Sequence, residues 1–242
     1  MTEKYQICIG GKMKADYQLA YQKANELLVS CKSITKFPVC LMNIIKECTD
    51  FEFMSFAEFE KSGLKAESVV GSNDGGLLEN SGQYILVYNE KKPNERVRFT
   101  MGHELGHYEL GHDCEILKHF KNTHDERFKM LYDKYEKEAN LFSAQILMPE
   151  QVIKELSKRG CYITEDFLMK HFVVSRQAAQ VRLANLNKVY SRKCLSFETF
   201  NYDDVILLKF KSFIDSIAPR KHTYEYDCEH EIEMEKLRQS WN

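Results

Sequence analysis

The sequence predicts a mixed fold of helices and strands, because two different periodicities occur in separate stretches of the chain. Apolar residues recur at helical spacing over 15–30, 94–110 and 125–147, and they alternate as in a strand over 51–56. A second strand is predicted at 84–89, a continuous apolar stretch that precedes the middle one of these helices. At 242 residues, the chain is long enough for one domain with an appendage or for two small domains.

Each predicted element has its own sequence signal, starting from the N-terminal side. The first helix carries its leucines and alanines on one side, and Pro38 begins a second helix that continues through Ile45. The alternating strand follows, and the glycine-rich stretch 71–76 predicts a turn or a bulge before the strand at 84–89. That strand, or a neighbour, is a candidate edge for pairing with an extended substrate, and an interior position in the sheet is the equal alternative.

The helix at 94–110 contains the most informative motif of the chain. Asn94 is placed to cap its N-terminus, and Gly111 is placed to end it. His103 and His107 are four residues apart, so they share one helix face and can bind one tetrahedral Zn²⁺. Glu104 is turned partly away from the metal and can take a proton from a metal-bound water. The pattern therefore predicts a zinc hydrolase, whereas the alternative is a solvated helix with two incidental histidines.

A catalytic zinc site needs a third protein ligand, and the spacing alone leaves its identity open. His112 is five residues beyond His107 and is rotated off the ligand face, which favours a solvated or capping role. Glu138 lies at the edge of the apolar stripe of helix 125–147, so it is a candidate ligand, with a surface salt bridge as the alternative. Glu136 is expected to point in nearly the opposite direction and to be solvated.

Two stretches resemble the signatures of a known family. Residues 98–108 (RFTMGHELGHY) and 138–149 (EANLFSAQILMP) resemble, in the right order, the two signatures of the ImmA/IrrE family of metallopeptidases. Two departures are small: Gly102 and Ser143 stand where the family usually has alanine. The resemblance implies an α+β, minimal zincin-like metallopeptidase domain over residues 1–149, built from an N-terminal helix, a small sheet, the motif helix and a glutamate-bearing helix.

The resemblance also implies a function. The chain would be a zinc endopeptidase in which His103, His107 and Glu138 bind Zn²⁺ and Glu104 is the general base. The substrate would be a helix-turn-helix transcriptional repressor, as is typical of the family. The alternative is a non-catalytic or toxin–antitoxin-type regulator that binds a repressor or DNA, and the intact Glu104 argues for the enzyme. The group that stabilises the oxyanion is left open among Tyr108, His112 and Arg176.

The segment that follows, residues 150–193, has the pattern of a helix-turn-helix. Thr164 and Ser175 are placed to cap two short helices, over 165–171 and 176–188. The segment has nine Lys and Arg against four acidic residues, which suits contact with DNA phosphates. A helical support under the glutamate helix, or a partner-docking surface, is the favoured alternative.

The remaining composition bears on compartment and on further sites. A net charge of −2 gives no general attraction to nucleic acid or membrane, and the N-terminal residues lack a signal region. The lack of a signal region and of a transmembrane span predicts a cytoplasmic protein, in which the eight cysteines, which form no C-x-x-C pair, are expected to be reduced. No role is predicted for 194–242, and a metal site at Cys228, Glu229 and His230 with His222 is disfavoured by its spacing.

Overall fold

The computed structural model describes residues 14–34, 36–112, 117, 126–186 and 202–219. The N-terminal part contains α1 (Tyr17–Ser30), α2 (Leu41–Cys48), β1 (Glu52–Ser55), α3 (Phe56–Phe59), a 3-10 turn (Glu60–Ser62), α4 (Ala66–Val70), β2 (Gly75–Asn80) and β3 (Gln83–Tyr88). The remainder contains α5 (Asn94–Glu109), α6 (Glu126–Leu147), α7 (Glu150–Lys158), α8 (Glu165–Phe172), α9 (Arg176–Leu186), α10 (Tyr202–Lys209) and α11 (Lys211–Ile217). Helices around one small sheet confirm the α+β, zincin-like fold class, with the helical segment following it.

The sheet has three strands in the order β1-β3-β2, with β1 parallel and β2 antiparallel to β3. Because β3 is the central strand, its backbone groups pair on both sides and are not free to bind a substrate. The strand predicted at 84–89 therefore takes the interior alternative, and β2 is the edge strand on one side. The sequence did not predict β2, because Gly75 and Gly76, which begin it, were expected to form part of a turn.

Helix α6 packs against α1 and α5 and carries the centre of the core. Phe142, Ile146 and Leu147 on α6 are completely buried, as is Leu105 on α5. The N-terminus of α1 is capped by the Asp16 carboxylate, which accepts a hydrogen bond from the Leu19 N–H at 3.0 Å. The apolar faces predicted for α1 and α6 therefore meet in one core, which holds α5 and its histidines in place.

Close contact between α5 and α6 depends on the two glycines of α5. A Cβ atom at Gly102 would lie 2.6 Å from the Ser143 hydroxyl oxygen, and one at Gly106 would lie 3.1 Å from the Phe142 ring. The Ser143 hydroxyl is itself held, because it donates to the Phe99 carbonyl at 3.1 Å. Gly102 and Ser143 are the two positions where alanine is usual in the family, and the structure shows that the two departures compensate for each other.

This compensation predicts how the stability of the double variant relates to that of the Gly102→Ala and Ser143→Ala single variants. Gly102→Ala should lose about 1–2 kcal/mol of unfolding free energy, because the added methyl overpacks against Ser143. Adding Ser143→Ala removes the obstructing oxygen, so the double variant should recover at least wild-type stability, since alanine is also the better helix former. Urea unfolding in the presence of a chelator measures the three free energies. Additive losses in the double variant would contradict the compensation.

The helix-turn-helix-like segment is packed onto the metallopeptidase core. Both predicted caps are present: Thr164 accepts from the Phe167 N–H at 3.1 Å, and Ser175 accepts from the Ala178 N–H at 3.2 Å. The Arg98 guanidinium on α5 donates to the Phe172 carbonyl in the turn between α8 and α9. One continuous cluster of buried residues extends from α1 to α11. The division of the chain at residues 149 and 193 stays a prediction.

The basic side chains of this segment are largely engaged within the protein. Arg159 forms ion pairs with Glu155 and Asp215, and Arg176 forms ion pairs with Glu165 and Asp166. Lys154 is paired with Glu150, and Arg182 is buried, with its guanidinium on the Met148 carbonyl. These four cations are therefore committed to internal contacts, and DNA binding by the segment stays a prediction.

The described part of the C-terminal region supports α1. Ile206, Phe210 and Ile214 are buried, and the Lys209 ammonium donates to the Leu28 carbonyl at 2.8 Å, at the C-terminal end of α1. The disfavoured metal site around residues 222–230 lies outside the described residues. Among the helices that the structure describes, none is both long and apolar enough to cross a bilayer.

Candidate metal centre

His103 and His107 on α5 direct the same ring nitrogen at one point. Their Nε2 atoms are 2.9 Å apart. The His103 Nδ1 lies 3.1 Å from the amide oxygen of Asn140 on α6, and the His107 Nδ1 lies 2.8 Å from the Nδ1 of His112. An amide oxygen only accepts, so the His103 Nδ1 carries the proton. The unprotonated Nε2 of His103 is then available to a metal.

Glu136 on α6 completes this group. Its carboxylate lies 3.5 Å from the His103 Nε2 and 3.6 Å from the His107 Nε2. The three ligand atoms lie within 4.8 Å of one another. Glu136 is one turn before Asn140, so both side chains leave α6 on the side that faces the histidines. The expectation that Glu136 is solvated and points away is therefore wrong.

Glu138 lies on the other side of α6. Its carboxylate accepts from the His112 Nε2–H at 2.9 Å and from the backbone N–H of Asp16 before α1. At about 100° per residue, Glu136 and Glu138 leave the helix on opposite flanks of Ala139, which faces α5. The structure thus brings His103 and His107 together with Glu136 and leaves Glu138 outside that group. Metal binding by Glu138 stays a prediction from the resemblance.

His112 connects His107 to Glu138. The expectation that His112 is solvated is wrong. Only 7% of its surface is exposed, and its ring stacks on Tyr135 with the ring centres 4.1 Å apart. One ring nitrogen faces His107 and the other faces Glu138. The sequence contained a signal for this position, because Gly111 ends α5 with φ at 66° and turns the next residue back under the helix.

The electrostatics favour the ligand forms of His107 and Glu136 at neutral pH. For His103, burial lowers the pKa, but the Glu136 and Glu104 carboxylates outweigh burial and raise it. Burial lowers the pKa of His107 to about 4, so this imidazole is neutral. Burial raises the pKa of the Glu136 carboxyl, but its interactions with the His103 and His107 rings outweigh burial and hold that pKa well below its usual range. Metal ions bind neutral imidazole and ionised carboxylate, so these two residues need not lose a proton at neutral pH.

This donor set fits a divalent metal ion. Two ring nitrogens that face each other across 2.9 Å must share either a proton or a metal ion, because two bare lone pairs at that distance repel. Two imidazoles and one carboxylate are a ligand set that zinc uses in catalytic sites. In a tetrahedral site with Zn–N bonds of about 2.0–2.1 Å, two ligand atoms lie about 3.3 Å apart. The separations of the ligand atoms in this group, 2.9–3.6 Å, lie on both sides of that value.

Glu104 lies beside the group and contacts the edge strand of the sheet. Its carboxylate accepts a hydrogen bond from the Leu77 N–H on β2 at 3.1 Å. The Asn89 N–H donates to the Asp74 carbonyl at the start of the β2–β3 ladder. Because antiparallel pairing alternates, the backbone groups of residues 75, 77 and 79 face away from β3. The edge of β2 therefore borders the same space as Glu104.

That space is a cleft of about 1410 Å³. It is lined by residues from α1, α4, β2, α5, α6 and α9, among them Tyr17, Val70, Leu77, His103, Tyr132 and Val181. One wall is the edge of β2, and the opposite wall is the glutamate-bearing face of α6. A cleft with these dimensions accommodates an extended peptide, because a drug-sized ligand fills about 300–1,000 Å³.

Sequence reasoning missed Tyr132, which lines this cleft. It lies one turn before Glu136 on α6, and burial, together with the nearby Glu136 carboxylate, raises its pKa. The other groups considered as oxyanion stabilisers lie elsewhere: Tyr108 packs edge-on against Phe51 and Tyr84, and Arg176 is ion-paired on the outside of α9. The sequence signal available for Tyr132 was its position four residues before Glu136. That spacing is informative only once Glu136 is known to lie at the site.

Comparisons with known proteins identify the family of this chain. A peptidase family model described as the IrrE N-terminal-like domain matches residues 55–184. The chain is similar to the Radiation response metalloprotease IrrE of Deinococcus radiodurans, at 35% identity over 85 residues, which are 35% of this chain and 25% of that protein. It is also similar to Metallopeptidase ImmA of Bacillus subtilis (strain 168), at 26% identity over 129 residues, 50% of this chain and 72% of that protein. The similarity therefore spans only a quarter of the Deinococcus relative.

Proposed function

This chain belongs to the IrrE N-terminal-like family of metallopeptidases, and we propose that it is a zinc-dependent endopeptidase that acts on a regulatory protein. One observation carries the proposal: the two Nε2 atoms and the Glu136 carboxylate converge beside Glu104. A scaffold that only binds a partner needs the ligands but needs no general base beside them. The enzyme is therefore preferred over the non-catalytic regulator.

We propose His103, His107 and Glu136 as the metal ligands. The assignment of Glu136 in place of Glu138 rests on the measured separations, because its carboxylate faces both histidines and that of Glu138 faces His112. Zinc is the proposed metal, since a set of two histidines and one glutamate with an open fourth position is typical of catalytic zinc. When bound, zinc would polarise the attacking water and the peptide carbonyl.

Glu104 is the proposed general base. Its carboxylate takes a proton from the attacking water and later delivers it to the amine that leaves, so the proton is conserved over the reaction. The Leu77 N–H orients this carboxylate at 3.1 Å and ties it to the edge strand. Tyr132 is the hydroxyl of the cleft that we assign to the developing negative charge on the peptide oxygen.

The substrate is proposed to bind in an extended form along β2. The outward N–H and C=O groups of β2, apart from the Leu77 N–H that Glu104 accepts from, offer main-chain hydrogen bonds to a peptide, in the manner of strand addition. A helix-turn-helix repressor is the proposed source of that peptide, as the family resemblance implies. We place the activity in the cytoplasm, as the composition predicts, and we assign no DNA or membrane partner.

Two incubations test the proposed activity. The zinc-loaded chain is mixed with a proteome-derived peptide library, and mass spectrometry is expected to find new peptide ends that a chelator abolishes. The same chain is then mixed with small helix-turn-helix proteins encoded beside its gene, and one of them is expected to be cut at one or a few bonds. Tight binding without any cut in either incubation would support the non-catalytic regulator instead.

A further inference from the structure

A line of three side chains runs from the candidate metal ligand His107 to the start of α1. The His107 Nδ1 lies 2.8 Å from the His112 Nδ1, and the His112 Nε2 lies 2.9 Å from the Glu138 carboxylate. Glu138 also accepts from the backbone N–H of Asp16. All three side chains are buried, at 2%, 7% and 4% exposed for His107, His112 and Glu138. Such burial makes each hydrogen bond obligatory.

Only one arrangement of protons satisfies this line with neutral rings. The Glu138 carboxylate can only accept, so the His112 Nε2 must carry a proton and donate it. A neutral His112 then has an unprotonated Nδ1, which must accept from the His107 Nδ1–H. His107 is left with its lone pair on Nε2, the nitrogen that faces His103 and Glu136. The charge of Glu138 therefore selects the metal-binding tautomer of His107 through His112.

We propose that His112 and Glu138 are positioning residues that fix the tautomer and the ring orientation of His107 and thereby set the metal affinity. The inference rests on the proposed metal site. Partners of metal-bound histidines raise metal affinity in this way, commonly as one carboxylate in direct contact with the histidine. Here His112 lies between the Glu138 carboxylate and His107, so Glu138 acts from the opposite side of α6.

The surroundings of the line support a positioning role. The Tyr135 ring stacks on His112 at 19° between planes, which holds the ring in the orientation that both hydrogen bonds need. The ionised form of Glu138 is stabilised by the hydrogen bond from the Asp16 N–H and by the Lys134 ammonium, which lies 3.8 Å from the carboxylate. The N-cap of α1 is thus connected to the metal site through His112 and Glu138, neither of which is among the residues that line the cleft.

Zinc affinity tests the proposal without any substrate. Competition with a chromophoric chelator is measured for the full chain and for His112→Phe, which keeps a ring to stack on Tyr135 but cannot accept from His107. His112→Phe is expected to bind zinc about 10- to 100-fold more weakly, the range found for such partners. Glu138→Gln is expected to lose less, because its amide oxygen can still accept from His112. A folded His112→Phe with zinc affinity within twofold of wild type would overturn the proposal.

A second measurement uses the unaltered, zinc-loaded protein, so it can still be made if His112→Phe fails to fold. Nitrogen-15 spectra of the histidine rings are expected to show His112 protonated at Nε2 and unprotonated at Nδ1. A His112 protonated at Nδ1 would contradict the line of hydrogen bonds. Failure of the proposed metal site is a different result, because the wild-type chain would then bind no zinc at all, and failure of the proposed peptidase activity would leave zinc binding and its dependence on His112 unchanged.

Discussion

Glu136→Gln is expected to lower the zinc affinity of this chain by about 10³-fold or more. The change removes the negative charge that lies 3.5 and 3.6 Å from the two Nε2 atoms, while the side chain keeps its size. Loss of a direct ligand should exceed the 10- to 100-fold effect of changing a partner of a ligand. Chelator competition and metal analysis after gel filtration measure the effect.

Glu138→Gln is the matched control, because it is the same isosteric change two residues further along the same helix. Its zinc affinity should fall by no more than about tenfold, since it acts through His112. The opposite ranking, with zinc lost in Glu138→Gln and kept in Glu136→Gln, would mean that the ligand implied by the family resemblance is right. The two variants together therefore decide the third ligand, whichever way the result falls.

Glu104→Gln is expected to abolish most of the peptidase activity while zinc is retained. An amide cannot take a proton from water at neutral pH, and general base catalysis typically contributes about 10²- to 10⁴-fold. The amide oxygen can still accept from the Leu77 N–H, so the cleft should keep its shape. kcat/KM is measured on a peptide that the library incubation identifies, and zinc content is measured in parallel.

Glu67→Gln supplies the control for this second prediction, because Glu67 also lines the cleft but lies on α4 and is exposed. It should retain kcat/KM within about twofold. If Glu104→Gln retains full activity on the same peptide, Glu104 is not the base. If it loses activity together with zinc, the residue acts on the metal site and not on the proton.

Sequence patterns were sufficient for most local interactions, although Pro93 and not Asn94 is at the N-cap of α5. The spacing of His103 and His107 on one helix, the caps at Thr164 and Ser175 and the turn at Gly111 all involve residues within five positions of one another. The resemblance added the family and the second signature, which the comparisons support. The edge strand β2 was not predicted, because it begins with two glycines and ends with polar residues, which hide the alternation of apolar side chains. Its position also depends on pairing with β3.

The sequence by itself determined that two histidines share a helix face beside a glutamate, since helical geometry places residues four apart on one side. Only the tertiary structure decided which carboxylate faces them. Glu136 and Glu138 lie on opposite flanks of the stripe that packs on α5, and no local signal says which flank meets the cleft and which meets α1. The close approach of α6 at Gly102 and Gly106 sets that rotation, and it places Glu136 at the histidines and Glu138 behind His112.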